Sequence, residues 1–264
     1  MGREITLPAL PQRIISLVPS QTELLCHLGL EDRLVGVTKF CVHPDTIRKE
    51  KVIVGGTKQF RFELIEELAP DLIIGNKEEN YQEGIELLTE KHPVWMSDIF
   101  NLEDSLDMIL SVSEVCGTKE KGEGLIRGIK NGFGQLPVFD PVRALYLIWR
   151  KPYMAAGSNN FIHQIMIKGG FENVVGEARY PELDEEELKK LDPEVVLLSS
   201  EPYPFATKHQ EELQQIMPEA KVMLVDGELF SWYGSRLLKL PAYLRALRAE
   251  IKNRGGLQQS SPPY

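Results

Sequence analysis

The sequence predicts an α/β protein of two lobes, each a parallel sheet covered by helices on both faces, joined by a helical stretch without strands. Three observations carry that expectation. Short, continuously apolar runs alternate with helical patterns along most of the chain. The alternation stops between Leu102 and Leu136 and restarts at Arg143. A twelve-residue pattern also recurs at a constant spacing of 123 positions, so that Glu63 answers to Glu186 and Pro70 to Pro193.

The elements follow in order. Predicted strands cover 13–18, 34–37, 52–54, 72–74 and 94–96 in the first half, then 144–149, 195–198 and 222–225 in the second. Each is apolar throughout and bounded by Gly, Pro or Asp, as strands buried on both faces should be. Ser20-Gln21-Thr22-Glu23 reads as a capping box opening a helix that Gly29 stops. Phe62, Ile65 and Leu68 recur at helical spacing, and Pro70 closes that segment. In the middle, Leu102, Leu106, Ile109, Leu110, Val112 and Val115 mark one helix, which Gly117 interrupts. Leu125, Ile129 and Phe133 form the stripe of a second, over 119–135. The expected organisation is therefore a lobe at 1–117, a connecting backbone helix at 118–136 and a lobe at 137–264, with a ligand cleft between lobes. Gly29 and Gly36 of the first lobe are matched to Gly170 and Gly176 of the second, and hinge candidates are Gly117, Gly132 and Gly134.

Composition narrows the function. With 42% hydrophobic and 26% charged residues, the chain is neither collagen-like, disordered nor coiled coil. A net charge of −9 argues against nucleic acid as a partner, since a phosphate footprint needs a basic surface. Cys26, Cys41 and Cys116 are odd in number and unclustered, which favours free thiols. The first residues show no basic and apolar leader, so no signal peptide is expected in the chain as given. No apolar run approaches the roughly 20 residues that span a bilayer.

Catalytic fingerprints are absent. Dinucleotide, P-loop, nucleophile-elbow and zinc-protease motifs do not occur. His27, His43, His92, His163 and His209 are scattered, and Cys41-x-His43 is a single pair where a protein-built zinc site needs three or four ligands. No metal site of the protein's own is expected. The segments after the strands instead carry aromatic and polar residues: 38–41, 76–80, 149–153, 199–203 and 228–236. Carboxyl ends of strands face the ligand in open α/β sheets, and rings with a few cations suit a large, flat, partly polar molecule.

Arg13 to Ser20 followed by Thr22-Glu23-Leu24, then Val35-Gly36-Val37 and Val54-Gly55-Gly56, carry a resemblance. Leu68 to Ile74, Ala156-Gly157-Ser158 and Gly169 to Val174 continue it in order over nearly the whole chain. They resemble the cobalamin and iron-chelate (haem, siderophore) substrate-binding proteins of ABC importers, a helical-backbone (class III) periplasmic binding protein family. The resemblance implies two Rossmann-like three-layer lobes on one long helix, and binding rather than catalysis. It implies a metal-chelate ligand, a corrinoid first, with haem or a ferric siderophore as the alternative, and no cofactor of the protein's own. It further implies an ABC permease as partner, no insertion into the membrane, a monomer, and a periplasmic or membrane-surface location. Without a signal peptide, a trimmed chain and a cytoplasmic protein both stay open.

Two sets of residues carry over. The family docks on its permease through one glutamate per lobe, here Glu63 and Glu186. Rings with which it sandwiches cobalamin fall on Phe40, Thr57, Asn76, Met154 and Tyr180, of which Phe40 and Tyr180 keep aromatic character. Trp149, Tyr153, Tyr203, Phe230 and Trp232 are placed to rebuild an aromatic cage, and Arg236 matches a family arginine. From other classes there remain a bilobed enzyme in which Lys39, Cys41, His43 and Glu78 converge, and a cytoplasmic carrier or sensor.

Overall fold

The computed structural model describes residues 5–254, and its chain divides into two compact units. Unit 1 runs to Lys130 and takes back the later segment Trp232–Leu237, while unit 2 comprises Asn131–Ser231 and the chain from Leu238 on. Unit 1 opens with β1 (Ile14–Ser16), α1 (Pro19–His27), β2 (Leu34–Val37), α2 (Ile47–Glu50) and β3 (Val52–Ile53). A small hairpin, β4 (Gly55–Gly56) and β5 (Gln59–Phe60), precedes α3 (Phe62–Leu68), β6 (Leu72–Asn76), α4 (Gln82–Thr89) and β7 (Val94–Ser97). Then come α5 (Leu102–Val115) and α6 (Lys119–Gly134), and the unit boundary falls inside α6.

The sheet of unit 1 has the order β3-β2-β1-β6-β7, parallel throughout. Its central strands are apolar on both sides because helices cover both faces: Ile14, Ile15, Leu72, Ile73 and Ile74 are buried. Unit 2 contains β8 (Val142–Trp149), β9 (Tyr153–Ala155), α7 (Phe161–Lys168), β10 (Phe171–Asn173), β11 (Glu182–Leu183) and α8 (Glu185–Leu191). It continues with β12 (Val195–Ser199), α9 (Thr207–Ile216), β13 (Lys221–Val225), α10 (Gly227–Ser231) and α11 (Leu240–Arg254). Its sheet runs β11-β9-β8-β12-β13, with β10 also beside β8. Strands β8, β10, β12 and β13 are parallel, whereas β9 and β11 are antiparallel additions. Among the described residues, no helix is long and apolar enough to cross a membrane.

The recurring sequence pattern is a recurring structure. Helix α3 ends on Ala69 in the left-handed region (φ 42°) before Pro70 and β6, and α8 ends on Asp192 (φ 45°) before Pro193 and β12. Carbonyls at a helix end have no partner within the helix. In unit 1, Arg13 donates to the carbonyls of Leu68 and Ala69; in unit 2, Arg143 donates to those of Leu191 and Asp192. The acid after the proline closes the motif from the other side. The Asp71 carboxylate accepts the Arg13 amide at 2.8 Å, and Glu194 accepts the Arg143 amide at 2.9 Å.

All eight predicted strands are present, and so are both helices of the strandless middle. Gly29 stops α1 as expected: at φ +78° it sits where the Leu30 amide reaches the Leu25 carbonyl and its own amide reaches Cys26. The capping box does not form. Pro19 is tolerated at the first helical position, so α1 starts before Ser20; Thr22 turns its hydroxyl back to the Val18 carbonyl at 3.1 Å, and Glu23 pairs with Arg236. Gly170 (φ +70°) does match Gly29, but Gly176 lies in a loop and is no counterpart of Gly36 in β2. Tyr153 belongs to a strand rather than a loop, because β8 turns back at Lys151 (φ +64°) into β9.

Candidate functional site

In unit 1 the loops at the carboxyl ends of the strands are tied together by buried amides. The Asn76 Oδ1 accepts the amides of Glu78 and Glu79 at 2.9 and 3.2 Å, and its Nδ2 donates to Ser97 Oγ at 3.0 Å. The Asn80 Oδ1 accepts the Asn76 amide at 2.9 Å, while its Nδ2 donates to the Thr57 carbonyl at 3.1 Å. Asn76 is 1% exposed, so it shapes the loop from within. The neighbouring loop presents Phe40, whose ring is 49% exposed with the Lys39 ammonium 5.0 Å from its centroid.

The late segment of unit 1 supplies Trp232 and Arg236. The guanidinium donates from Nε to Glu23 Oε2 at 2.9 Å and from Nη2 to Oε1 at 3.0 Å. It also lies 4.7 Å from the Trp232 ring centroid, and His43 meets the same indole edge-on at 5.5 Å. Trp232 is 7% exposed.

In unit 2 the end of β8 carries an aromatic shelf. Trp149, 41% exposed, meets Tyr203 in a T-shaped contact at 5.6 Å, and Tyr203 packs in turn on Phe205 and His209. Behind the shelf, Arg150 donates from Nε to Glu212 Oε1 at 3.0 Å, and the Tyr153 hydroxyl donates to the same oxygen at 2.7 Å. Glu212 of α9 thereby grips both arms of the β8–β9 hairpin. Burial and the Glu212 carboxylate push the Tyr153 phenol up to about 12. Burial opposes ionisation of Glu212, yet Arg150 and Tyr153 hold its carboxyl below the usual range.

Tyr180 follows Arg179, a left-handed residue (φ 68°) whose guanidinium stands 5.6 Å from the tyrosine ring centroid. The Arg179 carbonyl accepts the Gly157 amide and the Asn160 Nδ2, both at 2.9 Å. A Cβ at Gly157 would stand 2.0 Å from the Glu177 carbonyl oxygen, so only glycine admits this approach. Asn173 Nδ2 donates to the Ala156 carbonyl at 2.9 Å. These bonds are the physical content of Ala156-Gly157-Ser158 and of the Asn173 that follows Gly169-Gly170. Phe230 is fully buried, tilted against Tyr146 at 4.9 Å and edge-on to Tyr243, a core position out of a ligand's reach.

Cysteine chemistry is held down. Cys41 is buried between the hydroxyls of Thr22 and Thr38, at 3.1 and 3.2 Å, and burial pushes its thiol up. Cys26 and Cys116 are pushed up to about 12, mainly by burial. A thiol in such surroundings is a poor nucleophile. All three cysteines are free, and no group of three or more His, Cys, Asp or Glu among the described residues is placed to hold a metal.

Glu63 and Glu186 stand on pseudo-equivalent first turns, of α3 and α8, and both are exposed. A hydrogen bond from Lys189 at 2.8 Å holds the Glu186 carboxyl below its usual range. Asp184 and Glu187 form a complete capping box beside it, which sets the start of α8.

His209 is a further group that the sequence pattern did not single out. Its Nδ1 accepts the Ala206 amide at 2.9 Å, so the ring proton sits on Nε2 beside the Tyr203 oxygen at 3.2 Å. Burial, with Lys208 and Arg150 nearby, lowers its pKa; burial also lowers that of His163. Both rings therefore take up a proton less readily in the folded chain than in the unfolded one, where protonation sets in near 6.5. Stability is full above that value and falls as the pH drops through it. Urea unfolding near pH 7.5 and near pH 5.5 is expected to show a lower midpoint at the acid value, and an unchanged midpoint would contradict the assignment.

Residues 14–223 match the periplasmic binding protein family. A vitamin B12-binding protein of Pectobacterium atrosepticum is 24% identical over 256 residues, covering 92% of this chain and 91% of that protein. One of Vibrio parahaemolyticus is 28% identical over 196 residues, covering 71% of this chain and 70% of its own. Among solved structures, the periplasmic vitamin B12 binding protein of Vibrio cholerae superposes with a TM-score of 0.77 at 21% identity, covering 92% of this chain and 98% of that one. A periplasmic heme binding protein from Pseudomonas aeruginosa gives 0.78 at 22%, covering 97% and 96%. Both structures share the fold.

Proposed function

The chain belongs to the periplasmic binding protein family, and from that membership we propose that it is the substrate-binding protein of an ABC importer, carrying a corrinoid to a permease. The observation that carries this reading is the match to a vitamin B12-binding relative along 92% of the chain. The side chains at the strand ends support it. Phe40 of unit 1 and Trp149, Tyr180 and Tyr203 of unit 2 are the candidate rings that keep exposed surface. Broad rings suit a flat macrocycle. Phe40 and Tyr180 each carry a cation over the ring, Lys39 and Arg179, which suits the polar or anionic rim of such a ligand.

The remaining candidates act from behind. Asn76, Tyr153, Trp232 and Arg236 hold these loops in shape through the bonds described above. Phe230, as a core residue, is left out of the ligand face. Glu63 and Glu186 are the docking residues for permease arginines. The protein binds and releases its cargo unchanged and works outside the cytoplasmic membrane, in a periplasm or at the membrane surface.

Calorimetric titration of the purified protein with cyanocobalamin, cobinamide and haemin tests the ligand class. Binding of a corrinoid at micromolar concentration or below is the expected result. Saturable binding of haemin alone would move the ligand to the haem class, and binding of none would end the tetrapyrrole reading.

A further inference from the structure

We propose that Glu23 is a positioning residue for the ligand face of unit 1: by gripping Arg236 it sets Trp232, and through His43 the loop that presents Phe40. The proposal rests on the corrinoid reading for the role of Phe40, and on unit 1 alone for its geometry. Glu23 and Arg236 are 213 positions apart and meet in a two-pronged pair, at 2.9 and 3.0 Å. The arginine side chain is 8% exposed and the glutamate 17%.

A guanidinium held along one edge by both carboxylate oxygens has a fixed plane. Its central carbon lies 4.7 Å from the Trp232 ring centroid, and His43 abuts the indole edge-on at 5.5 Å. The loop from Thr38 to His43 is therefore fastened twice. His43 meets Trp232, and Cys41 sits 3.1 Å from the hydroxyl of Thr22, the residue next to Glu23. Phe40 directly precedes Cys41, the nearer of these fastenings, and keeps 49% of its surface exposed. Both fastenings trace back to neighbouring residues of α1.

A buried ion pair adds little net stability over apolar side chains of the same size, but it is directional. Orientation is what this one supplies. Arg236, which the sequence places among ligand contacts, acts one layer behind them.

Glu23→Gln keeps the size of the side chain and one acceptor while removing the charge, and Glu23→Asp keeps the charge one methylene farther away. Subtracting the emission of each protein's Trp232→Phe counterpart isolates the fluorescence of Trp232. The expected result for Glu23→Gln is a shift of that emission to longer wavelength and cyanocobalamin binding about tenfold weaker, the scale of one charge-assisted contact. Glu23→Asp restores part of both. Arg236→Lys, which keeps a positive charge but loses the flat group over the indole, is expected to shift the emission as well and serves if Glu23→Gln does not fold. Unchanged emission in a folded variant, or unchanged affinity beside a shifted emission, would overturn the proposal. A wild-type protein that binds no corrinoid would refute the ligand reading instead, and the emission of the unliganded variants would still decide whether Glu23 sets Trp232.

Discussion

A chain carrying both Glu63→Ala and Glu186→Ala is expected to bind its ligand as tightly as the wild type and to deliver none of it to the permease. Both carboxylates are exposed on pseudo-equivalent first turns of α3 and α8. Neither takes part in a core contact, so removing them leaves folding intact. At an interface, truncating one partner of a desolvated charge pair costs about 2–5 kcal/mol, much of it from the partner left unpaired. Two such losses abolish productive docking at ordinary concentrations. Transport into vesicles containing the permease, measured beside calorimetry of the free protein, separates the two effects. Transport retained by the double variant would remove these residues from docking. Loss of ligand affinity would assign them to the ligand site instead.

The second large effect is expected at the exposed rings. Phe40→Ala combined with Trp149→Ala should weaken corrinoid binding by about a hundredfold, since a well-packed aromatic contact contributes on the order of 1–2 kcal/mol. The rings are 49% and 41% exposed, so truncation costs the unliganded fold little, and urea midpoints should stay near that of the wild type. Equal affinity in wild type and double variant would show that the ligand lies elsewhere. A large fall in the midpoint would show that these rings support the fold.

Much of the fold was legible because its signals are local. Strands covered on both faces must be apolar at every position, and runs such as Leu72-Ile73-Ile74 and Val195-Val196-Leu197 declare themselves. The repeat was legible for a related reason: a helix that ends before Pro must hand its last carbonyls to something, and both units use an arginine and an acid for that purpose. The antiparallel strands β9 and β11 were not legible. They are three and two residues long; β9 forms because the chain reverses at Lys151, a turn without a glycine to announce it, and β11 then pairs with β9.

The site was legible by type and less so by role. Ring-rich segments after the strands were found, but exposure separates them only in three dimensions: Phe230 and Trp232 lie two positions apart, and one is enclosed by Tyr146 and Tyr243 while the other is covered by Arg236 and His43. Glu23 looked like part of a helix cap. Its partner is 213 residues away, and no local pattern carries that information. His209 was hidden for the opposite reason, since a lone histidine in a polar helix start gives no sign that its own ring accepts the amide three residues back.

Whether this chain selects a corrinoid over haem is measured by a competition. The protein is dialysed to equilibrium against equal concentrations of cyanocobalamin, cobinamide and haemin, and the retained ligand is identified by its visible spectrum. Retention of a corrinoid in a one-to-one ratio is the predicted result. Retention of haemin with both corrinoids excluded would contradict it.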